Sequence, residues 1–338
     1  MLKRFLCKFN YWPSFWQKPS LIALALSPLS FIYFFAITIK NYFTKTKSVP
    51  AKVICIGNLT AGGQGKTPCA IAIGKLCFEL SINYAFLSRG YGGNFSQELV
   101  EVNENSSAFS VGDEPILLAQ QARTFVGKNR YNSAEILSNH YKFSTIILDD
   151  GLQNNNLKKD YKILVIDEKI MFGNQLLLPA GPLRELVSSG LKKVDLVIFV
   201  AKKNSPIPAV LKNNQVVRAE IEVTNLAKFF GKKIIAFCGI AFPEKFFQTL
   251  REHNLQVVQQ ISFSDHFIYS EEDLESLSAK LIEQKTQQND NDNSLILLTT
   301  KKDWVKFSLS WQKKIDYLDI AMKFSDEELV KQQLKKIL

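Results

Sequence analysis

The stretch Thr60-Ala61-Gly62-Gly63-Gln64-Gly65-Lys66-Thr67 carries the residue types that polyphosphate chemistry uses. Its three glycines leave the backbone free to turn amide N–H groups toward one point. Lys66 at its end can reach the β- and γ-phosphates of a nucleotide, and the Thr67 hydroxyl can ligate Mg²⁺. The string meets the pattern G-x-x-x-x-G-K-[ST] except at its first position, where Thr60 replaces glycine. A glycine turn alone means little, so the flanks decide. Residues 52–56, K-V-I-C-I, are the short β-branched run of a buried parallel strand. After the loop, P-C-A-I-A-I-G-K-L-C has the spacing of a helix that begins just past Thr67. Strand, loop and helix N-terminus aim N–H groups and a positive dipole end at one place, which suits the phosphates of ATP.

A second acidic site is expected on a neighbouring strand. Residues 143–152, F-S-T-I-I-L-D-D-G-L, read as an apolar strand that ends in Asp149 and Asp150. Carboxylates at the C-terminal end of a parallel strand lie beside a phosphate loop, where they can hold a metal directly or through water. An ordinary strand-to-turn junction would look similar. Residues 161–167, 195–200, 233–239 and 294–300 are further short apolar runs, several separated by segments of helical spacing. The pattern predicts an α/β fold of the P-loop NTPase type, a largely parallel sheet with helices on both faces. A new strand and glycine turn, I-I-A-F-C-G-I-A, opens a smaller C-terminal α/β domain. The expected division is 1–48, 49–225 and 226–338. The polar run 284–293 reads as a solvent loop.

The first segment differs from the rest. From residue 20 to residue 39 no charged side chain occurs, about the 20 residues that cross a bilayer as helix. Phe5, Phe9, Tyr11, Trp12, Phe15 and Trp16 precede it among Lys3, Arg4, Lys8 and Lys18; Lys40, Lys45 and Lys47 follow. Aromatic and basic residues in that order suit a membrane interface. Spanning, surface-lying, signal-peptide and buried-core readings all fit the length. Ala23-Leu24-Ala25 follows too few apolar residues for a cleavage site. Pro28 divides the run, which favours a re-entrant or surface-lying arrangement. ATP is cytosolic, so the phosphate loop must stay on the cytoplasmic side, and a monotopic anchor does this most simply.

Composition agrees with a folded chain that meets an anionic partner. Of 338 residues 46% are hydrophobic, and 42 Lys+Arg against 32 Asp+Glu give a formal net charge of +10. Lipid surface and nucleic acid both fit that sign. The basic residues are spread along the chain without a compact arm, which ranks nucleic acid last. Cys7, Cys55, Cys69, Cys77 and Cys238 form no C-x-x-C pair, so reduced buried thiols are expected and no zinc site.

Taken in order, eight strings resemble the tetraacyldisaccharide 4′-kinase family. They are G-N-L-T-A-G-G-Q-G-K-T-P, L-S-R-G-Y-G-G (87–93), V-G-D-E-P (111–115), I-L-D-D-G-L-Q, L-L-P-A-G-P-L-R-E (177–185), F-C-G-I-A-F-P, F-S-D-H (263–266) and L-T-T-K-K-D (298–303). The resemblance runs from the anchor to about residue 306. It implies ATP-dependent transfer of the γ-phosphate, with Mg²⁺, to the 4′-hydroxyl of a tetraacyl glucosamine disaccharide 1-phosphate. The product would be the 4′-phosphorylated lipid A precursor, made at the cytoplasmic face of the inner membrane. A sugar hydroxyl needs a positioned proton acceptor. The resemblance implies Asp113 as that base with His266 as its partner, Lys66 in catalysis, and Arg89, Tyr91, Gln153, Arg184 and Glu185 around the substrate. Read without it, Asp113 could simply cap a helix, and His266 could be structural.

Two positions depart from the family pattern: Asn154 stands where His is usual and Lys301 where Glu is usual. A rival of another class is a GTPase, since Thr300-Lys301-Lys302-Asp303 fits the guanine-reading pattern [NT]-K-x-D. Its D-x-x-G switch is missing, because Gly151 follows Asp150 directly.

Overall fold

The computed structural model describes residues 12–103, 106–287 and 294–337. Lys3, Arg4, Phe5, Cys7, Lys8, Phe9 and Tyr11, and residues 288–293 of the polar run, lie outside the described residues. Residues 284–287 of that run end the helix Glu271–Gln287 instead of forming loop.

A large sheet of nine strands positions the chemistry. Its strands are β1 (Lys52–Gly57), β2 (Tyr84–Ser88), β3 (Leu99–Val102), β4 (Thr124–Gly127), β5 (Thr145–Asp149), β6 (Tyr161–Asp167), β7 (Leu196–Val200) and β8 (Val216–Val223). A smaller sheet follows with β9 (Lys233–Cys238), β10 (Gln256–Ser262), β11 (Leu295–Thr300) and β12 (Asp316–Leu318), after which β13 (Ile320–Phe324) returns to the large one. The large sheet runs β13-β8-β7-β6-β1-β5-β2-β4-β3, and the small one β10-β9-β11-β12. Pairing is parallel throughout, except that β3 and β13 join the two edges antiparallel.

The expected α/β architecture is thus present, with one correction. The second unit does not continue to residue 338, because β13 pairs with β8 and Val330 and Leu334 of the helix Glu327–Ile337 join the core beneath β1. That return is invisible locally, since β13 meets its partner strand about a hundred residues away in the chain.

Alternation along β1 explains why both sheet faces are covered. Ile54 and Ile56 point into the core under the helix Lys66–Glu79, while Val53 and Cys55 point into the opposite one. Each such fully buried aliphatic side chain contributes roughly 1.5–3 kcal/mol. Chain order also reverses around β1: one connection leads through the helix Lys66–Glu79 to β2, and β5 crosses over β1 to reach β6. Open α/β sheets bind ligands at the carboxyl ends of strands flanking such a switch point. Cys55, Cys69, Cys77 and Cys238 are free and buried, and burial raises the Cys55 thiol to about 11, so it is inert at neutral pH.

The N-terminal run forms one continuous helix, Leu21–Phe43, so Pro28 does not divide it. Proline cannot donate to the Leu24 carbonyl, and the Ser27 hydroxyl does so instead at 2.7 Å. Only Ala23 and Ser30 of this helix are buried. Ser30 donates to the Leu177 carbonyl at 2.8 Å and Tyr33 to that of Arg184 at 3.3 Å. The opposite face is bare, with Leu24 67%, Phe31 67% and Phe35 59% exposed. The helix is long and apolar enough to cross a membrane and is not a core helix, since almost all of it is uncovered by the rest of the protein.

Candidate active site

β1 ends at Gly57, and Asn58 to Gly65 make the loop before the helix Lys66–Glu79. This helix starts two residues earlier than the sequence spacing predicts, with Gly65 as its left-handed N-cap (φ 87°). Thr60, the departure from the glycine pattern, is wholly buried and accepts from the Gln64 amide at 2.6 Å. Gln64 also donates to the Met171 carbonyl at 2.9 Å. The Thr60 and Gln64 side chains therefore brace the loop from within. Asn58, which sequence reasoning did not single out, donates to the Gly62 carbonyl at 3.0 Å and accepts from Lys66 Nζ at 3.2 Å.

Asp149 pairs with Ile56 in the register of β5 on β1, so the acidic pair lies level with the start of the loop. The Thr67 hydroxyl donates to one Asp149 oxygen at 3.2 Å, and the other buried oxygen has no partner. Burial, then the nearby Glu114 carboxylate, push the Asp149 pKa up to about 7 against the pull of Lys66. Asp150 adopts left-handed backbone (φ 57°) and turns the other way. Arg184 Nη1 lies 2.9 and 3.0 Å from its two oxygens, and Lys66 Nζ is 3.6 Å away. Burial would raise this carboxyl too, but Lys66 and Arg184 outweigh it and hold it well below the usual range. Arg130, also unforeseen, is buried and donates to the Asp149 and Asp150 carbonyls at 3.3 and 3.4 Å. It sits at a helix start in R-Y-N-S, with no motif to mark it.

An orphaned buried carboxylate oxygen beside a threonine hydroxyl fits Mg²⁺, which takes one or two protein oxygens and completes its shell from phosphates and water. Among the described residues no cluster of three or more His, Cys, Asp or Glu could form an all-protein metal cage. Thr67 and Asp149 are the groups that would hold this ion; Asp150 is occupied by Arg184.

Asp113 opens the short helix Asp113–Ala119 after Gly112, whose φ is 90°. A Cβ at Gly112 would fall 2.6 Å from the Tyr91 carbonyl oxygen, so only glycine lets this loop and S-R-G-Y-G-G touch backbone to backbone. Asp113 is 4% exposed, and His266 Nδ1 lies 3.0 Å from its Oδ2. His266 arrives from the small-sheet unit in left-handed backbone (φ 56°). Its Nε2 lies 3.4 Å from Lys302 Nζ, while Asp265 at 4.0 Å is too far to accept a proton from it. An ammonium offers only donors. Nε2 is therefore the acceptor, and Nδ1 carries the proton that His266 donates to Asp113. Lys302 also donates to Glu114 at 3.2 Å, and Lys306 bridges Asp113 at 3.6 Å and Asp303 at 2.7 Å. Burial pushes the Asp113 carboxyl up, but Lys302, His266 and Lys306 more than reverse this and hold it far below the ordinary range. Glu114, Lys302 and Lys306 lie in or beside quoted motifs, yet their spacing gave no sign of this pairing.

The remaining expected site residues separate into two groups. Gln153, Arg184 and Glu185 form one network: Gln153 Nε2 reaches the Asn58 carbonyl at 2.9 Å and Glu185 at 3.2 Å, and its Oε1 accepts from Arg184 at 3.4 Å. Lys193 closes the network on Glu185 at 2.8 Å. Arg89 and Tyr91 are exposed at the end of β2, with the Tyr91 ring 5.4 Å from that of His266.

The two departures from the family pattern lie off this centre. Lys301 pairs with Asp319 at 3.0 Å, and the Asn154 side chain accepts from the Asn156 N–H at 3.1 Å. Asp303 of the apparent guanine motif is wholly buried, accepting from the Gly239 N–H at 2.9 Å, the Thr300 hydroxyl at 2.8 Å and Lys306. Its carboxylate is a structural cap with no oxygen left for a base.

Comparison with known proteins agrees with this arrangement. Residues 22–338 match the family model for tetraacyldisaccharide-1-P 4′-kinase. The chain is 37% identical over 309 residues to tetraacyldisaccharide 4′-kinase of Chelativorans sp. (strain BNC1), covering 90% of this chain and 87% of the relative. It is 36% identical over 328 residues to that of Rickettsia bellii (strain OSU 85-389), covering 96% and 98%. The crystal structure of LpxK from Aquifex aeolicus in complex with ATP superposes with a TM-score of 0.76 at 26% identity, covering 94% of this chain and 99% of the other. By these matches along nearly its whole length, the chain belongs to the tetraacyldisaccharide-1-P 4′-kinase family.

Proposed function

We propose that the residues assembled here carry out the family's reaction, ATP-dependent phosphorylation of the 4′-hydroxyl of a tetraacyldisaccharide 1-phosphate to give the lipid A precursor. The loop Thr60–Thr67 holds the β- and γ-phosphates, with Lys66 offsetting their charge. Thr67 and Asp149 would hold Mg²⁺, which would supply neutralisation of the phosphate charge. Asp113 receives the proton of the attacking hydroxyl. The oxygen–phosphorus bond to the sugar forms, the bond from the γ-phosphorus to the bridging oxygen breaks, and ADP leaves with the electron pair. A carboxylate held this far below its usual range is a weak base. That suits a loose transition state, where the nucleophile's proton moves late and position matters more than basicity. His266 steadies Asp113 through Nδ1–H, and Lys302 keeps that tautomer. Arg89 and Tyr91, exposed beside His266, contact the disaccharide head; Gln153, Arg184 and Glu185 act on it through Asp150 and the loop.

The observation that carries this reading is the half-satisfied Asp149. Its free oxygen lies beside Thr67, and Glu114, next to the proposed base, is close enough to raise its pKa. Donor and acceptor chemistry thus share one electrostatic site.

The helix Leu21–Phe43 holds the enzyme at the cytoplasmic face of the inner membrane. Ser30 and Tyr33 bind it along the 177–184 segment of the catalytic unit, which supports a surface-lying helix with its bare face in lipid rather than a span. No nucleic-acid partner is invoked. The test is incubation of purified protein with γ-labelled ATP and a disaccharide 1-phosphate lipid, followed by product analysis. Label on the lipid 4′-oxygen is expected; GTP hydrolysis without lipid transfer would overturn the reading in favour of a switch protein.

A further inference from the structure

Trp12 stands nine residues ahead of the membrane helix, where an interfacial aromatic is expected, yet its indole lies on the phosphate loop. Nε1 donates to the Ala61 carbonyl at 2.7 Å. The Ala61 N–H donates in turn to the Pro182 carbonyl at 2.8 Å, so this residue is held at both its amide and its carbonyl. A trans peptide points its C=O and the following N–H in opposite directions. With the Ala61 carbonyl pinned to the indole, the Gly62 N–H is directed away from it. Gly62 has φ 103°, and a Cβ there would fall 2.7 Å from Trp12 Nε1, so the indole and a side chain cannot share the place.

The indole is itself held. Its ring centroid lies 5.8 Å from that of Trp16 and 5.1 Å from that of Phe242 of the small-sheet unit. Trp16 donates to the Pro179 carbonyl at 2.9 Å, and its own carbonyl accepts from the Asn174 N–H at 2.7 Å. The Asn174 amide donates to the Phe15 carbonyl at 2.8 Å. The segment that leads into the lipid-facing helix is thereby fastened to the catalytic body on both sides of its turn.

We propose that Trp12 is a positioning residue for the phosphate loop, fixing the Ala61–Gly62 peptide so that its amide contributes to nucleotide binding. The N-terminal segment is then part of the ATP site as well as an anchor. This rests on the reading of the loop as the ATP site.

The test compares wild type with Trp12→Phe and Trp12→Ala, measuring kcat and KM for ATP, KM for the lipid, recovery on anionic phospholipid vesicles, and the thermal midpoint. Trp12→Phe keeps the ring stack but loses the donor. Its KM for ATP is expected to rise about fivefold, the worth of one ordinary hydrogen bond, with lipid KM and vesicle recovery unchanged. Trp12→Ala should raise the ATP KM further. An ATP KM within twofold of wild type in both variants would overturn the proposal. So would an equal loss of ATP binding, lipid binding and vesicle recovery, which marks general packing. Wild-type protein that fails to use ATP would instead sink the reading on which the proposal rests.

Discussion

Asp149→Asn separates the electrostatics of the site from its packing, because the substitution changes charge and almost no volume. Asp149 is 1% exposed, and its pKa is pushed up to about 7 by burial and then by Glu114. An unfolded aspartate titrates near 3.9. Between these values the native state binds more protons than the unfolded one, so folding stability falls as pH rises from about 4 to about 7 and is flat above. Three units at about 1.4 kcal/mol each set the largest loss at about 4 kcal/mol. Asparagine carries no charge to desolvate and can still accept the Thr67 hydroxyl. With chelator and no nucleotide, the variant should therefore be more stable than wild type at pH 8 by about 1–4 kcal/mol. At pH 5, where only about one of the three units has been crossed, the advantage should shrink to about a third of its value at pH 8.

The assay is thermal unfolding from pH 5 to pH 8.5, with and without Mg²⁺ and ATP. Adding both ligands should reverse the order at pH 8, since wild type gains stability by mass action and the variant cannot hold the ion as well. Equal midpoints at pH 8, or the same gain at pH 5 as at pH 8, would refute the assignment of Asp149 as the destabilised, cation-seeking carboxylate.

Asp113→Asn should lower kcat by about 10²–10⁴ while leaving the KM for ATP within about twofold, as expected for loss of a proton acceptor remote from the triphosphate; steady-state kinetics would show it. Because Asp113 is held below the usual range, the stability it contributes is present above about pH 4 and is lost as pH falls through its native value, so wild type should be the more stable above about pH 4 and its advantage over the variant should shrink as pH falls below that. Replacing Leu24, Phe31 and Phe35 together by glutamate should abolish vesicle flotation yet leave the thermal midpoint and the ATP KM nearly unchanged, because all three are exposed on the helix face turned away from the Ser30 docking contact. Asp303→Asn should cost about 3–5 kcal/mol in chemical unfolding without altering the preference for ATP over GTP, since the buried carboxylate compensates Lys306 and caps backbone.

The strand, loop and helix around Lys66 were legible because they are local. A β-branched run, a glycine loop and a helix follow one another within thirty residues, and β6 falls on the very residues, 161–167, that the apolar run predicts. The strands at the β13 end of the sheet were not legible. β8 alternates, with Val217, Ala219, Ile221 and Val223 against Arg218, Glu220 and Glu222, but is half-exposed along most of its length, and β13 gains its place only through a distant partner. The acceptor half resisted for a different reason. Asp113 and His266 are 153 positions apart and belong to units built on different sheets, so resemblance to the family suggested their partnership where spacing could not. Lys302 and Lys306 gain a role only once their carboxylate partners are in view. Trp12 read as an interface aromatic, and nothing in a sequence distinguishes an indole in lipid from one donating to a backbone carbonyl.

Four aspartates in this region share a low-dielectric setting yet differ in what their surroundings make of them. Asp303 is consumed by a helix cap and a lysine. Asp150 is clasped by Arg184 and Lys66, and Asp113 by His266, Lys302 and Lys306; both are driven to ionise. Asp149 alone is pushed toward its neutral form, with an unpartnered oxygen and only a threonine hydroxyl in contact. Pairs of titratable groups driven apart by their environments mark divided labour in an active site. A carboxylate already saturated by ammonium and guanidinium gains little from a divalent cation, whereas one left unsatisfied gains the full Coulomb term on binding it. On the proposed reading, one site can therefore hold an ionised proton acceptor and a metal ligand whose ionisation its cation favours, so that cation binding, and not folding alone, would complete it.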